Sequence, residues 1–297
     1  MASRPEVPIL LNARAGSASH TDLIAAELTR AGVSARLRSV APAQLARAVA
    51  DESSAGARVI GVAGGDGSIS AAANVLAGTD VVLAPFPLGT LNHFARRLGL
   101  VDVATAARAL AAGHTTRVPL GRAGERRFVN NASCGLYPHM VRHRQVLQRR
   151  IGKWPAAVVA TVRVLWDLRL LRVTLAVPGA TLVRTVADVW IGLGDDSFQL
   201  PADARLDPRA HVLEIVLPHA HSRAALLGLG VRVLGRLLRG ERPRTIGLEI
   251  VHAPALVLEA DRPIDVALDG EPLRLRPPVS FAIEPQALRV IAWPPRQ

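Results

Sequence analysis

The sequence predicts an α/β protein in two parts, an N-terminal domain on a parallel sheet followed by a strand-rich domain of β-sandwich type. Three observations carry this reading. Short apolar runs alternate with helical periodicity over the first 120 residues, which is the pattern of a parallel sheet covered on both faces. After about Val118 strands dominate, as in antiparallel sheets. The chain has 297 residues, 49% of them hydrophobic, with 24 Gly and 21 Pro, enough apolar material for a large core.

In order, Val7 to Leu11 reads as a strand ending in the turn Asn12-Ala13-Arg14-Ala15-Gly16. A helix follows, with Ser19 and Asp22 in capping-box spacing, and Gly32 stops it. Val33, Ala35 and Leu37 alternate as a second strand, and a helix starts near Pro42. Arg58 to Ala63 is the third strand, Ser68 to Leu76 a helix, and Val81 to Ala84 the fourth strand. Further helices follow Leu91 and Asp102. The first domain therefore covers 1–120 and the second 121–297, the boundary falling near residues 115 to 127 and the last strand free to return to the first domain.

In the second part Phe128 to Cys134, Val173 to Val177, Thr185 to Gly192, Leu213 to Leu217, Thr245 to Val251, Leu256 to Ala260 and Ile264 to Leu268 read as strands. Two helical stretches, Met140 to Leu171 and Arg223 to Leu238, interrupt them. Both carry arginines on an amphipathic pattern, which fits either solvated helices packed on a sheet or helices lying on anionic membrane.

Composition excludes several classes. A single cysteine, Cys134, rules out an intrachain disulfide framework, and its place between Ser133 and Gly135 in a strand predicts a buried structural thiol. Nine histidines show no paired-ligand spacing, so a zinc enzyme is not expected. Basic residues number 36 against 24 acidic, a net +12 that suits phosphate groups or an anionic surface. Aromatic residues are only 3%, and no nucleic-acid-binding motif is present. No uninterrupted apolar run spans a bilayer and no secretory signal opens the chain, so the expected location is cytoplasmic, with peripheral contact at the inner membrane face.

The chemistry concentrates in Val59 to Leu98. The strand VIGVA leads into Gly64-Gly65-Asp66-Gly67-Ser68, where glycines permit a tight turn with outward N–H groups at a helix N-terminus. After the next strand comes Pro87-Leu88-Gly89-Thr90-Leu91-Asn92, which a parallel sheet would set beside the first turn. Two such turns on adjacent strands point to a nucleotide-phosphate site.

GGDGS followed by PLGTLNHFARRLG resembles the catalytic domain of the diacylglycerol kinase family, especially its bacterial soluble lipid kinases. LLNARAG near the N-terminus, FVNNASCGLYPHMVR and LDGEPL agree in order along nearly the whole chain. The resemblance implies an N-terminal fold shared with NAD kinases and 6-phosphofructokinases, with ATP and Mg²⁺ as cofactors. It implies ATP-phosphate contacts at Gly64, Gly65, Asp66, Gly67 and Ser68, with Thr90 and Asn92 from the second turn. Asn12, Gly16 and Ser39 would complete the nucleotide site, and Glu271 of Asp269-Gly270-Glu271 would deprotonate the acceptor hydroxyl. Asp66 is the competing candidate for base or metal organiser, and Asp-Gly is also a plain hairpin signal.

Departures accompany the resemblance. Ser68 stands for the usual Thr, His93 where many members have Asp, and Ala210 where a structural-metal Asp is expected, so no metal ligands are assigned. The leading expectation is a lipid kinase acting on a diacylglycerol-like or sphingoid acceptor, with a role in phospholipid biosynthesis. An NAD-kinase-like enzyme with a soluble acceptor and a catalytically weak nucleotide- or lipid-binding regulator are the alternatives.

Overall fold

The computed structural model describes residues 6–14, 18–135, 170–194, 206–218, 228, 248–261 and 263–293. Most of both basic helical stretches, Gly16, and Asp195-Asp196 lie outside the described residues. The chain divides into two compact units, one comprising Met1–Leu120, Pro201–His211 and Glu284–Gln297, the other Gly121–Leu200 and Val212–Ile283. The first unit thus takes two later segments that a simple division at residue 120 assigns to the second. Main-chain hydrogen bonds hold them: Leu206 N–H donates to Arg97 O (3.1 Å), Trp293 N–H to Leu98 O (3.0 Å) and Ala292 N–H to His114 O (3.2 Å).

The first unit contains β1 (Val7–Asn12), α1 (Ala18–Arg30), β2 (Ala35–Val40), α2 (Leu45–Ser54) after the short turn Pro42–Gln44, β3 (Val59–Gly64), α3 (Asp66–Leu76), β4 (Val82–Pro87), α4 (His93–Arg97) and α5 (Val103–Ala112). Its parallel sheet runs β2-β1-β3-β4. Ile9, Leu10, Leu11, Ile60, Val62, Leu83 and Phe86 are fully buried, as strands covered on both faces require. The connection from β1 to β2 moves one way across the sheet, and those through α2 and α3 move the other. With right-handed crossovers, α1 then lies on the face opposite α2 and α3. Contacts agree, α1 packing on α5 and α2 on α3.

Local signals account for most of the boundaries. Gly32 ends α1 with φ +71°, and Asp102 caps α5, its carboxylate accepting the Thr105 N–H at 2.7 Å. These hydrogen bonds hold the Asp102 carboxyl below its ordinary value. Helix α1 starts at Ala18, so Ser19 sits inside the first turn instead of capping it. Helix α3 starts at Asp66, two residues before the predicted Ser68, because Gly65 is already the extended N-cap.

In the second unit the chain forms β5 (Thr115–Ala123), whose first residues belong to the first unit, then β6 (Arg126–Phe128), β7 (Asn131–Gly135), β8 (Leu171–Val177), β9 (Ala180–Val186), β10 (Asp188–Leu193), β11 (Leu213–Pro218), β12 (Leu248–Ala253), β13 (Ala255–Ala260), β14 (Ile264–Leu268), β15 (Glu271–Leu275) and β16 (Val279–Ile291). One antiparallel sheet runs β12-β11-β10-β7-β14-β15. A second set places β13 between β8 and residues 279–282 of β16, with β9 beyond β8. Within the first unit, residues 289–290 of β16 pair in parallel with β4.

Two predicted strands are each divided in two. Thr185 to Gly192 breaks at Ala187 because β9 pairs with β8 in one sheet while β10 pairs with β7 and β11 in the other. Phe128 to Cys134 breaks at Val129-Asn130, whose amides turn toward a side chain, Asp269. The Arg184 guanidinium forks onto Glu249 at 2.7 and 2.8 Å, joining β9 to β12, and this ion pair raises the arginine pKa. Cys134 is fully buried, and desolvation together with the nearby Asp188 charge pushes its thiol pKa well above the usual value. Among the described residues no helix is long and apolar enough to cross a membrane.

Candidate functional site

The site of the first unit begins with strand register. Val40, Asn12, Gly64 and Pro87 end β2, β1, β3 and β4 in one row across the sheet. This row crosses the switch point between β1 and β3, where the direction of strand addition reverses and loops splay apart. Asn12, Ser39, Gly64, Gly65, Asp66, Gly67 and Ser68 therefore gather at one edge.

The glycines serve close approach. None of Gly64, Gly65, Gly67 or Gly89 has positive φ. A Cβ on Gly64 would lie 2.5 Å from Ser68 Oγ, and one on Gly89 would lie 2.6 Å from Gly65 Cα. Gly65 and Gly89 thus let the loops after β3 and β4 touch backbone to backbone, while Leu88 N–H donates to Gly64 O at 3.0 Å. Gly89 belongs with the site although no role was assigned to it from the sequence. Its signal was a glycine within two residues of each strand's end, Gly65 after β3 and Gly89 after β4.

Asn12 Nδ2 donates to Ser68 Oγ at 2.7 Å, and its Oδ1 accepts the Arg14 N–H at 3.0 Å. The Ser68 hydroxyl is buried with this partner, so it ties β1 to the first turn of α3. Asn92 adopts left-handed φ +50° and closes its own loop: its Oδ1 accepts the Gly89 N–H and its Nδ2 donates to Gly89 O, both at 2.8 Å. Thr90 is exposed, and its hydroxyl makes no hydrogen bond among the described residues. Ser39 is likewise exposed, one position short of the row of strand ends.

Asp66 does something the sequence did not reveal. Its Oδ2 accepts the His93 N–H at 3.1 Å and its Oδ1 the Phe94 N–H at 3.0 Å, so the carboxylate sits on the first turn of α4. No side chain caps α3 itself, since Gly65 has none to offer. An uncapped helix start beside two glycine loops fits the phosphate groups of a nucleotide, because first-turn N–H groups have no helical acceptor.

The second unit holds Glu271. Asp269 (φ +50°) and Gly270 (φ +83°) form the two-residue turn joining β14 to β15, and Leu268 pairs with Glu271 across it. Positive φ at both central positions is the twist-matched hairpin geometry. The Asp269 carboxylate accepts the N–H groups of Val129 (2.9 Å), Asn130 (2.7 Å) and Asn131 (3.2 Å), and its own N–H donates to Asn131 O at 2.9 Å. The turn is thereby fastened to β7, while the Glu271 side chain is exposed and has no hydrogen bond or ion pair among the described residues.

Among the described residues a magnesium ion would find its oxygens mainly on a bound phosphate. Among the described residues no group of three His, Cys, Asp or Glu side chains could hold a metal ion. Ala210 is buried, and Asp207 accepts the Arg209 N–H at 2.9 Å in a local turn. An ion bound mainly by phosphate oxygens and water suits Mg²⁺, which sheds its hydration reluctantly.

Residues 6–123 match the model of the diacylglycerol kinase catalytic domain. The chain is 28% identical over 250 residues to a Pseudomonas putida protein named "Probable lipid kinase YegS-like", covering 82% of this chain and 80% of that one. It is also 28% identical over 253 residues to a Mycobacterium tuberculosis protein named "Diacylglycerol kinase", covering 80% and 77%. A crystal structure of a diacylglycerol kinase from Bacillus anthracis str. Sterne has the same fold, with a TM-score of 0.70, 18% identity and 99% of each chain covered. Both glycine turns lie inside the segment, residues 6–123, that is similar to the diacylglycerol kinase catalytic domain.

Proposed function

We propose that this protein is an ATP-dependent lipid kinase that moves the γ-phosphate of ATP, as its Mg²⁺ complex, onto a lipid hydroxyl. The observation that carries this reading is the abutment of Gly65 and Gly89 beside the uncapped start of α3 at the switch point of the sheet. Main-chain N–H groups there would hold the phosphates, and at the same edge Thr90 offers a hydroxyl that makes no hydrogen bond among the described residues. ATP and its Mg²⁺ supply the activated phosphoryl group and its charge neutralisation.

Glu271 is the general base in this proposal. An exposed carboxylate with no competing partner among the described residues is available to take the acceptor's proton, and the Asp269 anchor fixes the turn that carries it. The acceptor oxygen forms a bond to the γ-phosphorus, the bond to the β,γ-bridging oxygen breaks, and ADP leaves. The acceptor is a diacylglycerol-like or sphingoid lipid, in keeping with the names of the similar proteins.

Transfer from γ-labelled ATP into a total lipid extract, with thin-layer separation, tests the reading. A labelled chloroform-soluble product is expected from the wild-type protein. Glu271→Gln is expected to lower kcat about 10²–10⁴-fold while leaving ATP binding unchanged. Measurable ATP binding without any labelled lipid would overturn the lipid acceptor. Transfer into NAD would place the activity with soluble-acceptor kinases.

A further inference from the structure

We propose that Asp66 is a positioning residue that acts through α4: it holds the loop carrying Gly89, Thr90 and Asn92 in phosphate-binding geometry. This rests on the ATP-binding reading above and assigns Asp66 a role distinct from general base or metal ligand.

The argument starts from α4, which has only five residues. A helix of this length forms a single intrahelical turn, so its stability must come from outside. Its N-cap is Asn92, and the Asn92 side chain does not cap it, being occupied twice over with Gly89. The cap comes from Asp66, 27 and 28 residues earlier in the chain, through both carboxylate oxygens.

The consequence runs backward along the chain from α4. Fixing the His93 and Phe94 amides fixes Asn92, and Asn92 closes the loop on Gly89. Gly89 then lies against Gly65, the residue immediately before Asp66. The two phosphate loops and Asp66 form one closed circuit, in which the aspartate is the only charged link. A neutral cap would accept these amides more weakly, because hydrogen bonds to an ionised acceptor are the stronger ones. A carboxylate committed at both oxygens to main-chain donors influences the reaction by what it holds.

The test compares wild-type protein with Asp66→Asn and Asp66→Ala by amide hydrogen exchange, by binding of a fluorescent ATP analogue, and by steady-state kinetics. In Asp66→Ala the peptide spanning residues 88–98 should exchange about tenfold faster or more, while peptides from α1 and α5 keep their protection. The KM for ATP should rise about tenfold, with kcat within about threefold of wild type and an unchanged pH profile. Asp66→Asn retains one acceptor oxygen and should lie between the two, a graded rescue that loss of a base does not produce. Should Asp66→Ala not fold, Asp66→Asn carries the same comparison.

Unchanged exchange over residues 88–98 would overturn the proposal. So would a kcat loss of about a hundredfold at constant KM with one limb of the pH profile gone, which marks a group that moves a proton. If the wild-type protein transfers no phosphate, the kinase reading fails by itself. Exchange and analogue binding then still decide whether Asp66 holds the loop.

Discussion

The two units use the same pair of letters, Asp-Gly, for different physical jobs. Asp66-Gly67 opens a helix, and the glycines around it permit backbone contact: a Cβ on Gly89 would meet Gly65 Cα at 2.6 Å. Asp269-Gly270 turns a hairpin, and Gly270 is there for its φ of +83°, with nothing within 4 Å of where a Cβ would be. Both aspartates nevertheless do one thing alike. Each carboxylate collects main-chain N–H groups from a distant segment, His93 and Phe94 for Asp66, Val129 to Asn131 for Asp269. A glycine-rich turn therefore has to be read by its surroundings, since crowding and backbone angle predict different responses to substitution.

The strongest way to break this comparison is to exchange the glycines. Gly89→Ala pushes a methyl into backbone that cannot yield, and overpacking of this kind costs about 1–3 kcal/mol. ATP-analogue affinity should fall with it by about tenfold, as 1.4 kcal/mol would give. Gly270→Asn, by contrast, should leave ATP binding unchanged and shift the melting temperature little, because Asn tolerates left-handed backbone. If Gly89→Ala binds ATP like wild type, the loops need not touch.

The next effect concerns the second aspartate. Asp269→Ala strands three main-chain donors and should destabilise the strand-rich unit by about 3 kcal/mol, read as a loss of urea midpoint. Lipid phosphorylation should fall because Glu271 loses its anchor, whereas ATP-analogue affinity should stay within about twofold. Loss of ATP binding in this variant would mean that the anchor serves the first unit as well.

The smallest effect supplies a local reference. Asp102 caps its own helix from three residues away, and Asp102→Ala should cost about 1 kcal/mol. Its folded-state pKa is lowered, so this stabilisation is fully present above the ordinary carboxylate range and fades as pH falls through it. It is gone below the lowered folded value. The wild type and Asp102→Asn should therefore differ in melting temperature at pH 7 and converge in strong acid. A difference that persists there would assign the effect to packing.

Much of the fold was written locally. The alternation of apolar strands with helices, Gly32 and Asp102 as helix signals, and Asp-Gly as a hairpin turn all follow from backbone angles and side-chain periodicity over a few residues. The glycine turns at the ends of β3 and β4 were legible as a pair, because two such turns on adjacent parallel strands fall at one edge of the sheet. Other features depend on residues far apart in the chain. Nothing near Asp66 announces that its carboxylate will cap α4, nor does Phe128 to Cys134 disclose that Asp269 will interrupt it. Nothing in residues 206–211 shows that they pack with the first unit, and the sequence left the return of the last strand open without deciding it. Hydrogen bonds and close approaches of this kind are set by which segments share a neighbourhood once the apolar faces are buried. Spacing along a single chain carries no trace of that until the sheet register brings the partners together.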